Sequence, residues 1–194
     1  MARPAKFTHD ELLDAAVRAL LAHGPDVTIA QVAAAVGAPI GSVYHRVPSR
    51  DHLLASVWLR AIRRFHQGLL ATSRIADPRQ ALLAQAVHQP RFCRAHPGEA
   101  YAMTLYGQQE LLGSGPVELR DEISTVNDDI WALGRELASA LDGRDGERGF
   151  ELVAMAVWQT PYGMIRSFVR NRQPIPDWMD DAVVAAADAV LGLR

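Results

Sequence analysis

The chain is poor in the features that mark several large protein classes. Its 194 residues contain one cysteine, Cys93, so no disulfide can close within the chain. No apolar run reaches membrane length, and no N-terminal segment resembles a signal peptide. The expected compartment is therefore the cytoplasm, with no membrane partner. No strand-like alternation flanks an Asn-Gly or Asp-Gly turn, and runs of β-branched residues are short, whereas Ala and Leu are abundant. These features predict an all-α fold. Repeats of fixed period and low-complexity segments are absent from the sequence. So are the Gly-x-Ser-x-Gly elbow, His-Glu-x-x-His, a phosphate-binding loop and the Glu-x-x-His pair of di-iron bundles, so no enzyme and no cofactor is expected. His88, Cys93 and His96 stand five and three residues apart, but they lack a fourth ligand and are interrupted by Pro90. No metal is expected there. Cys93 is either an oxidation-sensing thiol or, as a lone cysteine more often is, a small buried hydrophobe.

What the chain does have is unevenly placed. Residues 1–66 carry eight Lys and Arg against five Asp and Glu, a net +3, while residues 67–194 carry twelve against seventeen, a net −5. A basic first third suits a phosphate partner. Within it, residues 28–54 read as two short helices, a tight turn and the start of a third helix, the grammar of a helix-turn-helix. Thr28 and Gln31 fit a capping box, and Val32, Ala33 and Val36 form a narrow apolar stripe. Gly37 ends that helix, and Pro39 presets the first turn of the next. Ile40 to Arg46 fill about two turns before Pro48 disfavours helix at Val47. Upstream, Thr8 and Glu11 form a second capping box before the stripe Leu12, Leu13, Ala16, Val17, Leu20 and Leu21, which Gly24-Pro25 stops. Downstream, Ser49 caps a helix with Asp51 in its first turn and Leu53, Leu54, Val57, Trp58, Ala61, Ile62 and Phe65 on one face.

Placed on such a scaffold, each residue type suggests its DNA contact. Thr28 and Arg50 open helices, where free N–H groups and positive charge favour phosphate. Tyr44 offers a hydroxyl to the backbone, and Ser42, His45 and Arg46 can reach bases or phosphates. Ile40 can touch a thymine methyl, and Gly41 permits close approach. Val43 and Val47 are expected in the core. Arg3 and Lys6 lie on an N-terminal arm that either adds phosphate or minor-groove contacts or stays solvated.

The set Thr28, Val32, Ala33, Gly37, Gly41, Ser42, Val43, Tyr44, Val47, Arg50 and Leu53 resembles the DNA-binding motif of the tetracycline-repressor (TetR) family of bacterial regulators. Pro39 stands where that family usually has a serine cap, Val47 where it has Phe, and Arg50 where it has Lys. The resemblance covers the first quarter to third of the chain. It implies a three-helix DNA-binding domain, assigned to residues 1–48. It also implies a helical domain, residues 49–194, that holds a small effector and a dimer interface.

In the acidic part, Asp77-Pro78 opens a segment expected to run until Pro90, and another begins near Pro97. Residues 113–116 form the clearest loop, and an apolar period from Leu119 to Leu141 predicts one long helix that residues 142–146 end. Two helices follow, roughly residues 147–170 and 177–191. Pro161 lies deep in the first and predicts a kink, either a packing accommodation or the wall of a cavity. Val157, Pro161 and Ile165 share a face that, with Val183, Ala186, Ala187 and Val190, is expected at a two-fold dimer axis. Met155, Trp158 and Tyr162 share a neighbouring face. With Met103 and Trp131 they are the candidate lining of a mainly apolar effector pocket, the alternative being ordinary core.

These expectations combine into a homodimeric regulator of a double-stranded, pseudo-palindromic operator, released as a repressor by its effector. The alternatives are an activator or corepressor-dependent regulator, and a DNA-anchored protein-interaction module without a pocket.

Overall fold

Two threonines start the first two helices by the same device. In the computed structural model, which describes residues 7–141 and 146–193, the Thr8 N–H donates to Glu11 Oε2 at 2.6 Å, and the Glu11 N–H donates to Thr8 Oγ1 at 3.1 Å. The Thr28 N–H likewise donates to Gln31 Oε1 at 2.7 Å, and the Gln31 N–H to Thr28 Oγ1 at 3.3 Å. These capping boxes open α1 (His9–His23) and α2 (Ile29–Val36). Gly37 ends α2 at φ +71°, and the Ala38 N–H reaches back to Ala33 O at 3.0 Å, the bond pattern that closes a helix through a left-handed residue. Then come α3 (Ile40–Tyr44) and the long α4 (Arg50–Ala71), whose first turn is capped when the His52 N–H donates to Ser49 Oγ at 3.0 Å.

The remaining helices are α5 (Pro78–Ala95), α6 (Pro97–Met103), α7 (Gln108–Ser114), α8 (Arg120–Thr125), α9 (Asp128–Ala140), α10 (Glu147–Ala154), α11 (Thr160–Arg170) and α12 (Met179–Leu191). No strand occurs among the described residues. The acidic part follows its predicted outline with three departures. α5 runs on through Pro90, which is buried, so tertiary packing outweighs a local helix penalty of about 3 kcal/mol. The apolar period from Leu119 to Leu141 is divided into a short 3-10 turn, α8 and α9. The break comes where Gln108 Nε2 donates to the Ile123 and Ser124 carbonyls at 2.8 and 3.1 Å and so satisfies the end of α8.

The third departure is the form of the kink at Pro161. α10 and α11 are joined by a π-helical turn, Met155–Gln159, just before the proline. Pro161 has no N–H to offer the Val157 carbonyl four residues back. Buried Gln89, on α5, supplies the missing donor: its Nε2 lies 2.7 Å from Val157 O and 3.1 Å from Trp158 O. A side chain thereby repairs the backbone defect that the proline creates.

Packing groups the chain into two compact units. The first contains residues through Ile62 together with Gly98–Thr125, and the second contains Arg63–Pro97 together with residues from Val126 onward. The boundary expected at residues 48 and 49 falls inside the first. In that unit Leu12, Leu20, Val27, Val32, Val43, Val47, Leu53 and Val57 form one core, which Tyr101 and Ala102 of α6 complete. Gly98 lies so close to α1 that a Cβ there would stand 2.6 Å from Val17 Cγ1, and Trp58 Nε1 donates to the Tyr106 carbonyl at 3.0 Å. In the second unit, α5 is tied to α12 by Arg79 with Asp188 at 2.8 Å, and by Arg91 and Arg94, both on Asp180 at 2.7 and 2.5 Å.

Candidate nucleic-acid interface

The orientation of α3 is set by two valines. Val43 and Val47 are fully buried in the core of the first unit, as expected, so the opposite side of this five-residue helix faces outward. Ile40 is 47% exposed and Tyr44 51% exposed, and they stand one turn apart on one ridge. Gly41 and His45 are exposed beside them, and Ser42 is half-buried. A Cβ added at Gly37 or Gly41 would meet nothing within 4 Å, which leaves the backbone at the head of the helix open to a close partner. Thr28 is exposed at the start of α2, where its hydroxyl also donates to Gln31 Oε1 at 3.1 Å.

The two arginines expected at DNA are both engaged within the protein. Arg46 lies with its guanidinium carbon 4.3 Å over the ring of Phe7. Arg50 turns its fork onto the loop between α1 and α2: Nε donates to Val27 O at 2.7 Å, Nη2 donates to Pro25 O, and Nη1 stands 3.4 Å from Asp51 Oδ1. It fastens the start of α4 to the residues that precede α2. The local motif could not reveal these partners, because Phe7, Pro25 and Val27 lie 23 to 39 residues away in sequence. Arg3 and Lys6 lie outside the described residues.

The candidate effector and interface residues are distributed as follows. Met103 is half-buried in α6 and belongs to the first unit. In the second unit Trp131, Met155 and Tyr162 are exposed on the surface. Trp158 is half-buried: its ring lies edge-on to Phe150 with centroids 5.8 Å apart, and it fills the space over Gly134, where a Cβ would fall 2.6 Å from Cη2. Its indole Nε1 is buried and has no hydrogen-bond partner among the described residues. Val157, Pro161, Ile165, Val183 and Ala187 are buried within their own unit, and Ala186 and Val190 are half-buried. Along α10 and α11 the stripe Val153, Val157, Pro161, Ile165 and Val169 points inward, while Met155 and Tyr162 point outward and Trp158 is half-buried. The stripe is apolar at the right period, but the chain's own helices cover it.

Of the set His88, Cys93 and His96, the two histidines are built into an aromatic cluster. His88 Nε2 lies 2.9 Å from Phe65 O, its ring stacks on Phe65 with centroids 5.0 Å apart, and His96 lies at the same 5.0 Å from Phe92. Burial pushes the Cys93 thiol up to about 12, far from a reactive thiolate. Burial also pulls His88 below its ordinary value, and pulls His66 down to about 4.

The helix-turn-helix matches a known domain. Residues 12–57 match the domain described as bacterial regulatory proteins, tetR family. The fatty acid degradation regulator FadR from Bacillus halodurans superposes with a TM-score of 0.70 at 20% identity, over 96% of this chain and 100% of that one. A TetR-like transcriptional regulator from Rhodococcus sp. RHA1 superposes with a TM-score of 0.71 at 17% identity, over 100% of both chains. FadR from Bacillus subtilis, in complex with stearoyl-CoA, gives 0.61 at 18% identity, over 95% of this chain and 96% of that one. At these identities the superpositions establish a shared fold. No curated protein matches the sequence. Residues 12–57 thus match a TetR-family domain of bacterial regulatory proteins, and the whole chain shares the fold of these regulators.

Proposed function

We propose that this regulator is a homodimeric cytoplasmic repressor that grips a pseudo-palindromic operator with the outer face of α3 and leaves it when a small, mainly apolar effector enters the second unit. The DNA-facing residues in this reading are Thr28, Ile40, Gly41, Ser42, Tyr44 and His45. Arg46 and Arg50 act chiefly by holding the motif in shape. The observation that carries the proposal is the rotation of α3, whose buried valines leave Ile40 and Tyr44 directed outward beside an unobstructed glycine. A helix this short reads few bases, so two copies on an inverted repeat supply the rest of the selectivity.

Support for an effector comes from Trp158, because a buried indole N–H normally finds an acceptor, and a ligand oxygen would provide one. We assign Trp131 and Trp158 to that ligand. The exposed Met155 and Tyr162, together with half-buried Ala186 and Val190, are assigned to the dimer. Helix α4 contributes residues to both units and is the connection along which effector binding changes the DNA-binding motif. The effector must bind the DNA-incompetent state more tightly than the competent one.

The relative that holds stearoyl-CoA makes long-chain acyl-CoA the first compound to try. The test is selection of duplexes from random DNA by the full chain, with sedimentation of the free protein and titration of the bound duplex with stearoyl-CoA. An inverted repeat, a dimer and release that Trp158→Ala abolishes are expected. A single unrepeated site, or a monomer at micromolar concentration, overturns the dimeric reading. Indifference to a broad panel of apolar ligands overturns effector release.

A further inference from the structure

We infer that Ile40 reads the 5-methyl group of one thymine in each operator half-site, so that this regulator selects its DNA partly by an apolar contact. The inference rests on the proposed DNA-binding face and adds to it the chemistry of one base. Ile40 begins α3 and is 47% exposed, although the helix has a core face that Val43 and Val47 already fill. Its ridge partner Tyr44 is 51% exposed, and together they make an apolar edge on the outward side. One exposed isoleucine on a protein surface is ordinary. A pair of large hydrophobic side chains along the outward ridge of α3 is a surface prepared for dehydration.

The long cationic side chains of the motif are engaged elsewhere. Residues 37–49 contain one long cationic side chain, Arg46, and it lies over Phe7. Arg50 is held by the carbonyls of Pro25 and Val27. Ser42 is half-buried. The open space over Gly37 and Gly41 allows the helix to sit deep, which brings the short Ile40 side chain within reach of a base edge. Of the four bases only thymine presents a methyl group in the major groove. Removing that methyl leaves every hydrogen-bonding group of the pair in place.

The experiment uses the full-length protein and the duplex it selects from random DNA. Each thymine of one half-site is replaced in turn by deoxyuridine, and binding is measured for the wild type, Ile40→Ala and Ile40→Val. Loss of one buried methyl is worth about fourfold in affinity. The wild type is expected to lose about that factor at one thymine of the half-site, and about fifteenfold when both half-sites are changed, by additivity of two such losses. Ile40→Ala should bind the thymine duplex more weakly and show no further loss with deoxyuridine, while Ile40→Val should keep most of the response. The wild-type arm does not depend on any variant folding. A wild type indifferent to every deoxyuridine, or an Ile40→Ala protein that keeps the same loss at the same base, overturns the inference and leaves the DNA-binding reading intact. Failure to enrich any duplex overturns both.

Discussion

Replacing Arg50 by alanine separates two roles that this residue could have. Its guanidinium donates to Val27 O at 2.7 Å and to Pro25 O, and the side chain is 37% exposed. Two charge-assisted hydrogen bonds would be worth about 1.5–3 kcal/mol each in a dry site, and solvent screening at this exposure brings the pair down to about 2 kcal/mol in total. For a chain of this size, 1 kcal/mol shifts the melting temperature by about 2–4 °C, so Arg50→Ala should lower it by about 4–8 °C. Arg50→Lys should recover little of that, because a single ammonium cannot span both carbonyls.

Binding to DNA should weaken through the loosened motif, with the dependence of log affinity on log salt unchanged. A phosphate contact behaves differently: its loss leaves melting unaltered and reduces the salt slope by about one unit. Circular-dichroism melting and binding titrations at several salt concentrations decide between them. Unchanged melting together with a reduced slope would refute the clamp and restore Arg50 to the DNA backbone.

Gln89→Leu should destabilise the second unit by about 1–3 kcal/mol, since it strands the carbonyl that Pro161 leaves without a donor. In a Pro161→Ala background the penalty should shrink by about half, because residue 161 then supplies its own N–H; a double-mutant cycle in urea reads this coupling, and equal penalties in both backgrounds would refute the repair. Acid should destabilise the same unit. The pKa of His66 is pulled to about 4 chiefly by burial, against a hydrogen bond to the Val126 backbone and the charge of Asp129, and His88 is pulled down by burial. Below pH 6.5 the unfolded chain takes up protons that the folded one refuses. Stability is therefore full above that pH and falls on the way to about 4. Melting temperatures from pH 8 to pH 4 should show the fall, reduced in His66→Gln by about 2 kcal/mol of the pH-dependent part, and a parallel profile for that variant would exclude His66 as its source.

Local grammar was sufficient for the helix-turn-helix. Thr8 with Glu11 and Thr28 with Gln31 are bonds across three residues, and Gly37 ends its helix through its own backbone freedom, so their geometry is written in adjacent positions. The buried Val43 and Val47, and hence the outward Ile40 and Tyr44, follow from a period that a short window displays. The same is true of the all-helical class and of the disturbance at Pro161.

What the tertiary structure alone decided involves partners far apart in sequence. Arg46 on Phe7, Arg50 on the Pro25 and Val27 carbonyls, and Gln89 on the carbonyls of Val157 and Trp158 are unions that no local pattern encodes. Residues 98–125 join the helix-turn-helix in one unit across 35 intervening residues, so the compact division does not follow chain order. Periodicity marks Val153, Val157, Pro161, Ile165 and Val169 as a stripe that must be buried, but hydrophobic burial is non-directional and does not say what buries it. Their own unit covers these side chains, and Met155 and Tyr162 lie on the exposed side of the same helices.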